Sequence, residues 1–361
     1  MKITALRTQV VHMPLAKPIR AAIFEIRSID CVLTWLDTDQ GLTGEGLALA
    51  MNRQRVPVLH EMVRSFEPLL LGLDPTMAGS FHQRAWKELN FLGHSGVSII
   101  GLAAVDNALW DLRGKAAGLN VSRLLGAVAT SVPIYASGGL WLSASIDELQ
   151  AEADSFRAKG FRAMKARIGN TDHEGDLARI RALRQAIGPD IKLMVDANQQ
   201  MTRPQALRMG RALEEFDLTW FEEPLPYWDH EGEAALAAAL DTRLASGETV
   251  HTSRGMHEML KLNAADVLMP DLQRMGGPTE FLKAARLAEA HDIPVSSHLY
   301  SEMSLSLLAA LPNAIYLEHM PWLAPIYREQ IELDADGRAI VPDRPGWGFT
   351  FDPDAVRRFA A

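Results

Sequence analysis

The first fifty residues switch between apolar and polar along the chain with strand-like period. Residues 1–7 (Met-Lys-Ile-Thr-Ala-Leu-Arg) alternate, residues 29–36 are rich in β-forming side chains, and residues 39–45 (Asp-Gln-Gly-Leu-Thr-Gly-Glu) carry turn chemistry. This pattern predicts a three-stranded meander. From about residue 55 to residue 118 the apolar spacing becomes helical, and over 97–111 Ile100, Ala103, Ala104 and Ala108 share one face. Strands followed by helices predict a compact α+β unit.

After about residue 130 a short strand, a turn and a helix of about 10–15 residues recur as a unit. The candidate strands are 132–137, 161–167, 191–197, 218–223, 243–248, 267–271, 293–298 and 314–318. Eight strands alternating with helices predict an α/β fold with a closed parallel barrel in preference to an open doubly wound sheet, and no Gly-rich dinucleotide fingerprint supports the open form. Residues 331–341 read as a hairpin around Asp336-Gly337, and no helix follows to continue the barrel.

The length of 361 residues suits a barrel of about 250 residues with an added domain. Hydrophobic residues at 48% and charged residues at 22% mark a globular chain with a large interior. The net charge of −9, with no Lys/Arg cluster, argues against nucleic acid or an anionic membrane as partner. The opening residues lack the apolar run of a secretory signal, and no stretch of about 20 apolar residues could span a bilayer. Cys31 is the single cysteine and cannot form an internal disulfide. The expectation is a cytoplasmic protein.

Nearly every predicted strand ends in an ionisable residue: Lys165 and Arg167, Asp196, Glu222, Glu248, Asp271, His298 and Glu318. Barrel active sites form where the carboxyl ends of the strands meet, so residues distant in sequence converge there. Asp196, Glu222 and Glu248 end three consecutive strands at intervals of 26 residues. Three carboxylates crowded on one arc repel one another unless a cation neutralises them, and all-oxygen ligation suits Mg²⁺ or Mn²⁺. A single such carboxylate is as readily a helix cap, but three at equal intervals predict metal ligands. Lys165 and Arg167 lie two apart on one strand and point inward, with Met164 and Ala166 facing the helices. Asp271 and His298 end neighbouring strands, which lets the carboxylate hold one imidazole nitrogen and leave the other as a positioned base. Glu318 lies across the mouth from the carboxylate arc and could donate a proton if its pKa were raised. Asn198 shares the inward direction of Asp196 and is a candidate to touch substrate or order the metal shell.

Lys165-Ala-Arg167, Val195-Asp-Ala-Asn198, Trp220-Phe-Glu-Glu-Pro224, Gly247-Glu248, Pro270-Asp271 and Ser296-Ser-His298 together resemble the mandelate racemase subgroup of the enolase superfamily (mandelate racemase/muconate lactonizing enzyme family). The resemblance runs the whole chain, including Gly346-Trp-Gly348. It implies a modified (β/α)₇β barrel over 129–322, an α+β capping domain over 1–128, and a tail over 323–361 returning to the cap. It further implies one Mg²⁺ on Asp196, Glu222 and Glu248, a carboxylate substrate bound to that metal, and stabilisation by the metal and Lys165 of the enediolate left when the α-proton departs. Homo-oligomers are the family's habit.

One position departs from the family pattern. Where mandelate racemase carries a second lysine as base, this chain has Arg167, a poor proton acceptor with a pKa above about 12 but a good carboxylate clamp. Racemisation needs proton exchange on both faces, whereas elimination of water proceeds with one base, His298. The expectation is therefore a lyase that dehydrates a sugar acid, with Lys165, Arg167 and Asn198 as substrate contacts. The alternatives are a racemase or epimerase of an α-hydroxy acid, which the apolar stretch at residues 21–24 favours, and a non-catalytic organic-acid binder. A metallohydrolase is disfavoured because residues 132–137 hold no paired histidines.

Overall fold

The computed structural model describes residues 1–20, 25–170 and 172–361. The apolar stretch at 21–24 lies outside the described residues. Strands β1 (Ile3–Arg20), β2 (Glu25–Thr38) and β3 (Thr43–Met51) form the expected antiparallel meander in the order β1-β2-β3. The β2–β3 turn is tied by Thr38, whose hydroxyl donates to the Leu42 carbonyl at 2.9 Å and accepts from the Leu42 amide at 3.2 Å.

The helix Val97–Ala117 packs on this sheet and is buried on almost every side, not along the single stripe its spacing predicts. Ala103, Ala104 and Ala108 are inside, and Ile100 is partly exposed. The reason is that the helix is a shared wall. The sheet approaches so closely that a Cβ at Gly46 would stand 2.3 Å from the Ala104 carbonyl oxygen. On its other side, Asp106 accepts from the amide of Thr279 at 2.8 Å, in the barrel.

The barrel strands are β4 (Ser131–Ala136), β5 (Ala163–Arg167), β6 (Lys192–Asp196), β7 (Trp220–Glu222), β8 (Leu244–Ser246), β9 (Val267–Leu268), β10 (Val295–Ser296) and β11 (Ala314–His319). They are parallel and ordered as in the sequence, and β11 pairs with β4 through Leu317–Ile134, Glu318–Tyr135 and His319–Ala136 to close the ring. Each predicted strand is present, most of them shorter than its apolar run. After β11 a single 3₁₀ turn, Ala324–Ile326, stands where a barrel helix would follow. The hairpin at Gly337 (φ 74°) then leads β12 (Arg338–Ile340) antiparallel onto β4.

Strand alternation sorts the side chains into two cores. Met164, Ala166, Val195 and Phe221 face outward into a shell shared with helix residues such as Leu183 and Met209. Tyr135, Ala163, Met194, Trp220, Ala245, Val267 and Met269 face inward and plug the barrel. Within this plug Tyr135 meets Trp220 edge-on, with centroids 5.4 Å apart, and Tyr316 packs against both. The plug is the floor of the site.

Residues 346–361 lie against the N-terminal unit. The Trp347 amide donates to Asp111 at 2.9 Å and its indole to the Asn107 carbonyl at 3.0 Å, while the Ala361 amide reaches the Val10 carbonyl at 3.1 Å. No helix among the described residues is long and apolar enough to cross a membrane.

Candidate active site

Two residues beyond the floor residue on five of the strands, the same inward direction presents an ionisable or polar group. Lys165 stands above Ala163, Asp196 above Met194, Glu222 above Trp220, Glu318 above Tyr316, and Ser137 above Tyr135. Asp196, Glu222 and Glu248 converge, with one oxygen from each lying within 4.8 Å of the others. The equal 26-residue spacing is not the cause. Asp196 pairs in register with Glu222, but the register partner of Glu222 is Ala245, three residues short of Glu248. On simple alternation Glu248 would face the helices, as Ser246 does in donating to Glu233 at 2.5 Å. Gly247, at φ 123°, redirects the chain and brings Glu248 to the mouth.

Asn198 (φ 42°) holds both oxygens of Asp196: its amide donates to Oδ1 at 2.8 Å and its Nδ2 to Oδ2 at 3.1 Å. Of the two roles expected for it, this contact is the ordering one. Asp271 and His298 form a parallel bridge, and Nδ1 of His298 lies 2.7 Å from Asp271 Oδ2. Oδ1 of the same aspartate accepts the Arg274 amide at 2.8 Å, capping the turn Leu272–Met275. Nε2 of His298 is thereby directed towards Glu248, 3.3 Å away.

Lys165 is enclosed by carboxylates: it bonds Glu222, and its Nζ lies 3.1 Å from Glu318 and 3.5 Å from Asp196. The Arg167 guanidinium donates to the Ser137 carbonyl at 3.1 Å and hydroxyl at 2.9 Å, sits 3.6 Å from Asp196 and stacks over Trp141. Its Nη atoms are engaged by the protein, while its buried Nε has no hydrogen-bond partner and remains for the clamp role expected of it.

The charges are unbalanced towards the negative. Burial, reinforced by Asp196 and Glu248 against the pull of Lys165, raises the Glu222 carboxyl to about 8. Burial alone would lower the Lys165 pKa, but Glu222 and Glu318 outweigh it and hold the ammonium well above its usual range. His298 is likewise opposed by burial, yet Glu248 and Asp271 raise it to about 9. For Glu318 the condition set for proton donation, a raised pKa, is absent. Burial pushes it up, but Lys165, His298, Arg167 and the Leu299 amide (2.7 Å) hold it well below the usual carboxylate range.

Alternation does not reveal two further charged groups at the mouth. Glu223 is buried with its backbone at φ 39°; it accepts from Gln199 at 2.8 Å, and its Oε1 has no partner. The available signal was the paired Glu222-Glu223, since a regular strand could turn only one of them inward. Arg274 donates to the Glu248 carbonyl at 2.8 Å from a helical turn; nothing in its local sequence points to the mouth. The cavity these groups enclose, partly open to solvent, is lined by Lys165, Arg167, Asp196, Asn198, Glu248, His298 and Glu318. Asp271 stands behind His298, and Glu222 beneath Lys165. Every site residue predicted from the sequence is therefore at or beside one cavity.

The donor set fits a hard divalent cation. Three carboxylates supply oxygens close enough to be drawn onto one ion at about 2.1 Å, and the upward push of burial, Asp196 and Glu248 on the Glu222 pKa marks excess negative charge where that ion would sit.

Residues 3–126 match the mandelate racemase / muconate lactonizing enzyme N-terminal domain, and residues 148–355 match the family described as enolase C-terminal domain-like. The chain belongs to the mandelate racemase / muconate lactonizing enzyme family of the enolase superfamily. Family relatives include the L-talarate/galactarate dehydratase of Salmonella typhimurium, 35% identical over 99% of this chain and 90% of that protein. The 3,6-anhydro-alpha-L-galactonate cycloisomerase of Streptomyces coelicolor is 32% identical over 99% of both. The crystal structure of L-talarate dehydratase from a Polaromonas species, complexed with Mg and L-glucarate, superposes with a TM-score of 0.93 at 37% identity. That match covers 100% of this chain and 97% of the other.

Proposed function

We propose that this protein is a Mg²⁺-dependent lyase that removes the α-proton of a sugar acid and expels the β-hydroxyl as water, giving a 2-keto-3-deoxy acid. The observation that carries the reading is the Asp271–His298 pair facing the three convergent carboxylates across one buried cavity. Mg²⁺ held by Asp196, Glu222 and Glu248 would supply Lewis-acid stabilisation of the charge that develops on the substrate carboxylate. Asp271 fixes the proton of His298 on Nδ1 and leaves Nε2 free to take the α-proton. The largest influence raising the pKa of His298 is Glu248, so neutralising that carboxylate lowers the imidazole towards the range of a working base. The same histidine then returns its proton to the departing hydroxyl, and the enol left behind tautomerises to the ketone. Lys165 adds fixed positive charge beside the reacting carboxylate. Glu318, held anionic, anchors Lys165.

Arg167, bonded to Ser137 and stacked on Trp141, supplies no second base and supports elimination over racemisation. A second reading is opening of an anhydro ring, favoured by the kinship to a cycloisomerase; it uses the same proton abstraction with an ether oxygen leaving. A proton NMR time course in D₂O with Mg²⁺ over a panel of aldonates, aldarates and anhydro acids tests both. Loss of substrate to a 2-keto-3-deoxy product is expected. Deuterium at the α-carbon without elimination would identify an epimerase, and no consumption of any acid by metal-loaded protein would sink the proposal.

A further inference from the structure

Three residues of the cavity wall take no part in the proton transfer, and each directly follows a group already placed at the mouth: Gln199 after Asn198, Glu223 after Glu222 and Thr249 after Glu248. Positive φ at Gln199 (66°) and Glu223 (39°) takes their side chains out of the strand alternation, and the Gln199 amide donates to the Glu223 carbonyl at 2.7 Å. The Gln199 side chain is held on three sides. Its Nε2 donates to Glu223 Oε2 at 2.8 Å and to the Thr249 hydroxyl at 3.0 Å, and its Oε1 accepts from the Tyr227 amide at 3.1 Å. Two hydrogen-bonding capacities are left over. Glu223, 1% exposed, keeps Oε1 without a partner. The Thr249 hydroxyl, which accepts from Gln199, has no acceptor for its own proton among the described residues.

We propose that Glu223 and Thr249, held in place by Gln199, form a subsite that reads one hydroxyl of the substrate other than the β-hydroxyl that leaves. A hydroxyl both donates and accepts. It gives its proton to Glu223 Oε1 and takes the proton of Thr249, and it matches Glu223 in either charge state, because a protonated carboxyl donates where a carboxylate accepts. Other ligands fit less well. A carboxylate would meet Glu223 with like charge, and an ammonium would leave the Thr249 proton unmet. Glu223 also stands outside the group of carboxylates whose oxygens lie within 4.8 Å of one another, which sets it apart from the metal centre. His298, which attends the leaving hydroxyl, is faced by Asp271 and Glu248 and not by Glu223. A buried acceptor left unpaired is costly, so the subsite favours a hydroxyl over a C–H in the same place. The inference rests on the reading of the cavity as a sugar-acid site and deepens it by naming two residues that recognise the polyol chain.

The test titrates hexonates and hexarates, each with its 2-, 4- and 5-deoxy analogues, into His298→Asn protein at saturating Mg²⁺, so that turnover does not interfere with the calorimetry. For the configuration that binds most tightly, removal of one of these hydroxyls is expected to weaken binding about tenfold or more, the scale of a hydrogen bond to a charged group. Adding Glu223→Ala is expected to reduce that difference to less than about twofold, and adding Thr249→Val to reduce it about threefold. Glu223→Gln, whose amide still bonds a hydroxyl, should keep most of it. Thr249→Val reads the same difference if Glu223→Ala does not fold. A role of Glu223 confined to the metal would weaken each acid and its deoxy analogues alike. That result, deoxy analogues that bind as tightly as their parents, or no binding by any acid would overturn the inference. Failure of the dehydratase reading is seen separately. Protein with His298 intact that shows the Glu223-dependent difference but yields no keto acid retires the reaction and keeps the subsite, whereas keto-acid formation without that difference retires the subsite alone.

Discussion

Met194 and Asp196 lie two residues apart on β6 and face the same barrel interior, yet their surroundings oppose each other. Met194 belongs to an apolar plug with Tyr135, Trp220 and Val267. Asp196 belongs to a layer of crowded charges where Glu222 and Glu223 are pushed towards protonation and Lys165 is held charged. The same step repeats from Ala163 to Lys165 and from Trp220 to Glu222. The lower layer stabilises the fold by removing apolar area from water, and the upper layer works against it by burying like charges. The lower layer is regular in backbone. Around the upper one, Asn198, Gln199, Glu223, Leu299 and Tyr300 all adopt positive φ, a conformation that costs of order 1 kcal/mol or more per residue and clusters at active sites. One strand thus serves stability at one level and chemistry at the next.

Substitutions one level apart should therefore have separable effects. At the upper level, His298→Asn is expected to reduce kcat by about 10³-fold, as for loss of a general base, with a melting temperature within a degree or so of the parent. Steady-state rates and thermal melts check it. A large loss of stability would erase the distinction between the layers. At the lower level, Trp220→Ala should destabilise the fold by about 3–5 kcal/mol, read by urea unfolding, because a fully buried indole leaves a cavity; it also releases the bond its indole makes to Glu222 at 2.8 Å. A nearly neutral result would mean that the plug is not the structural layer.

Asn198→Ala, which removes the side-chain contact with Asp196, should weaken Mg²⁺ binding by about 10–100-fold, the effect expected of losing a group that orients a metal ligand, with little change in metal-free stability. Calorimetric titration with Mg²⁺ distinguishes this from an effect on folding. The last effect concerns pH. Burial and the neighbouring carboxylates raise Glu222 from the ordinary carboxylate range to about 8 in the folded metal-free protein, so its ionisation disfavours that state as pH rises from the ordinary carboxylate range to about 8. The slope is at most about 1.4 kcal/mol per pH unit. Metal must displace the proton, so the rise in melting temperature on adding Mg²⁺ should be small near pH 6, grow to about pH 8 and level off above it. A Mg²⁺ effect that shrinks with rising pH would contradict the assignment.

Much of both layers was legible in the sequence because strand alternation with an inward charge is a local signal. Lys165, Asp196, Glu222 and Glu318 follow from that period, and Asp271 with His298 from adjacent strand ends. Glu248 was located by a spacing that proves coincidental, and the left-handed turn at Gly247 is what directs it inward. Glu223 and Arg274 escaped for related reasons. The inward position of Glu223 depends on a backbone angle outside the strand period, and Arg274 reaches back from a helical turn whose orientation is set by packing. The lowered pKa of Glu318 was not legible because two cations, an imidazole and a backbone amide surround it, a three-dimensional sum that no single strand records. The helix Val97–Ala117 shows the same limit in the cap, where a second buried face was invisible until the barrel wall was placed against it.

The contacts made by residues 346–361 bear on how the chain is synthesised. A nascent chain that has emerged only through β11 holds every barrel strand, yet lacks Trp347 on Asp111, Phe351 on Glu45 and Ala361 on the first strand. The sheet made first is therefore completed by residues made after the barrel. A chain truncated near residue 340 should display a protease-sensitive N-terminal unit beside an assembled barrel, which makes residues 341–361 a checkpoint for a competent molecule.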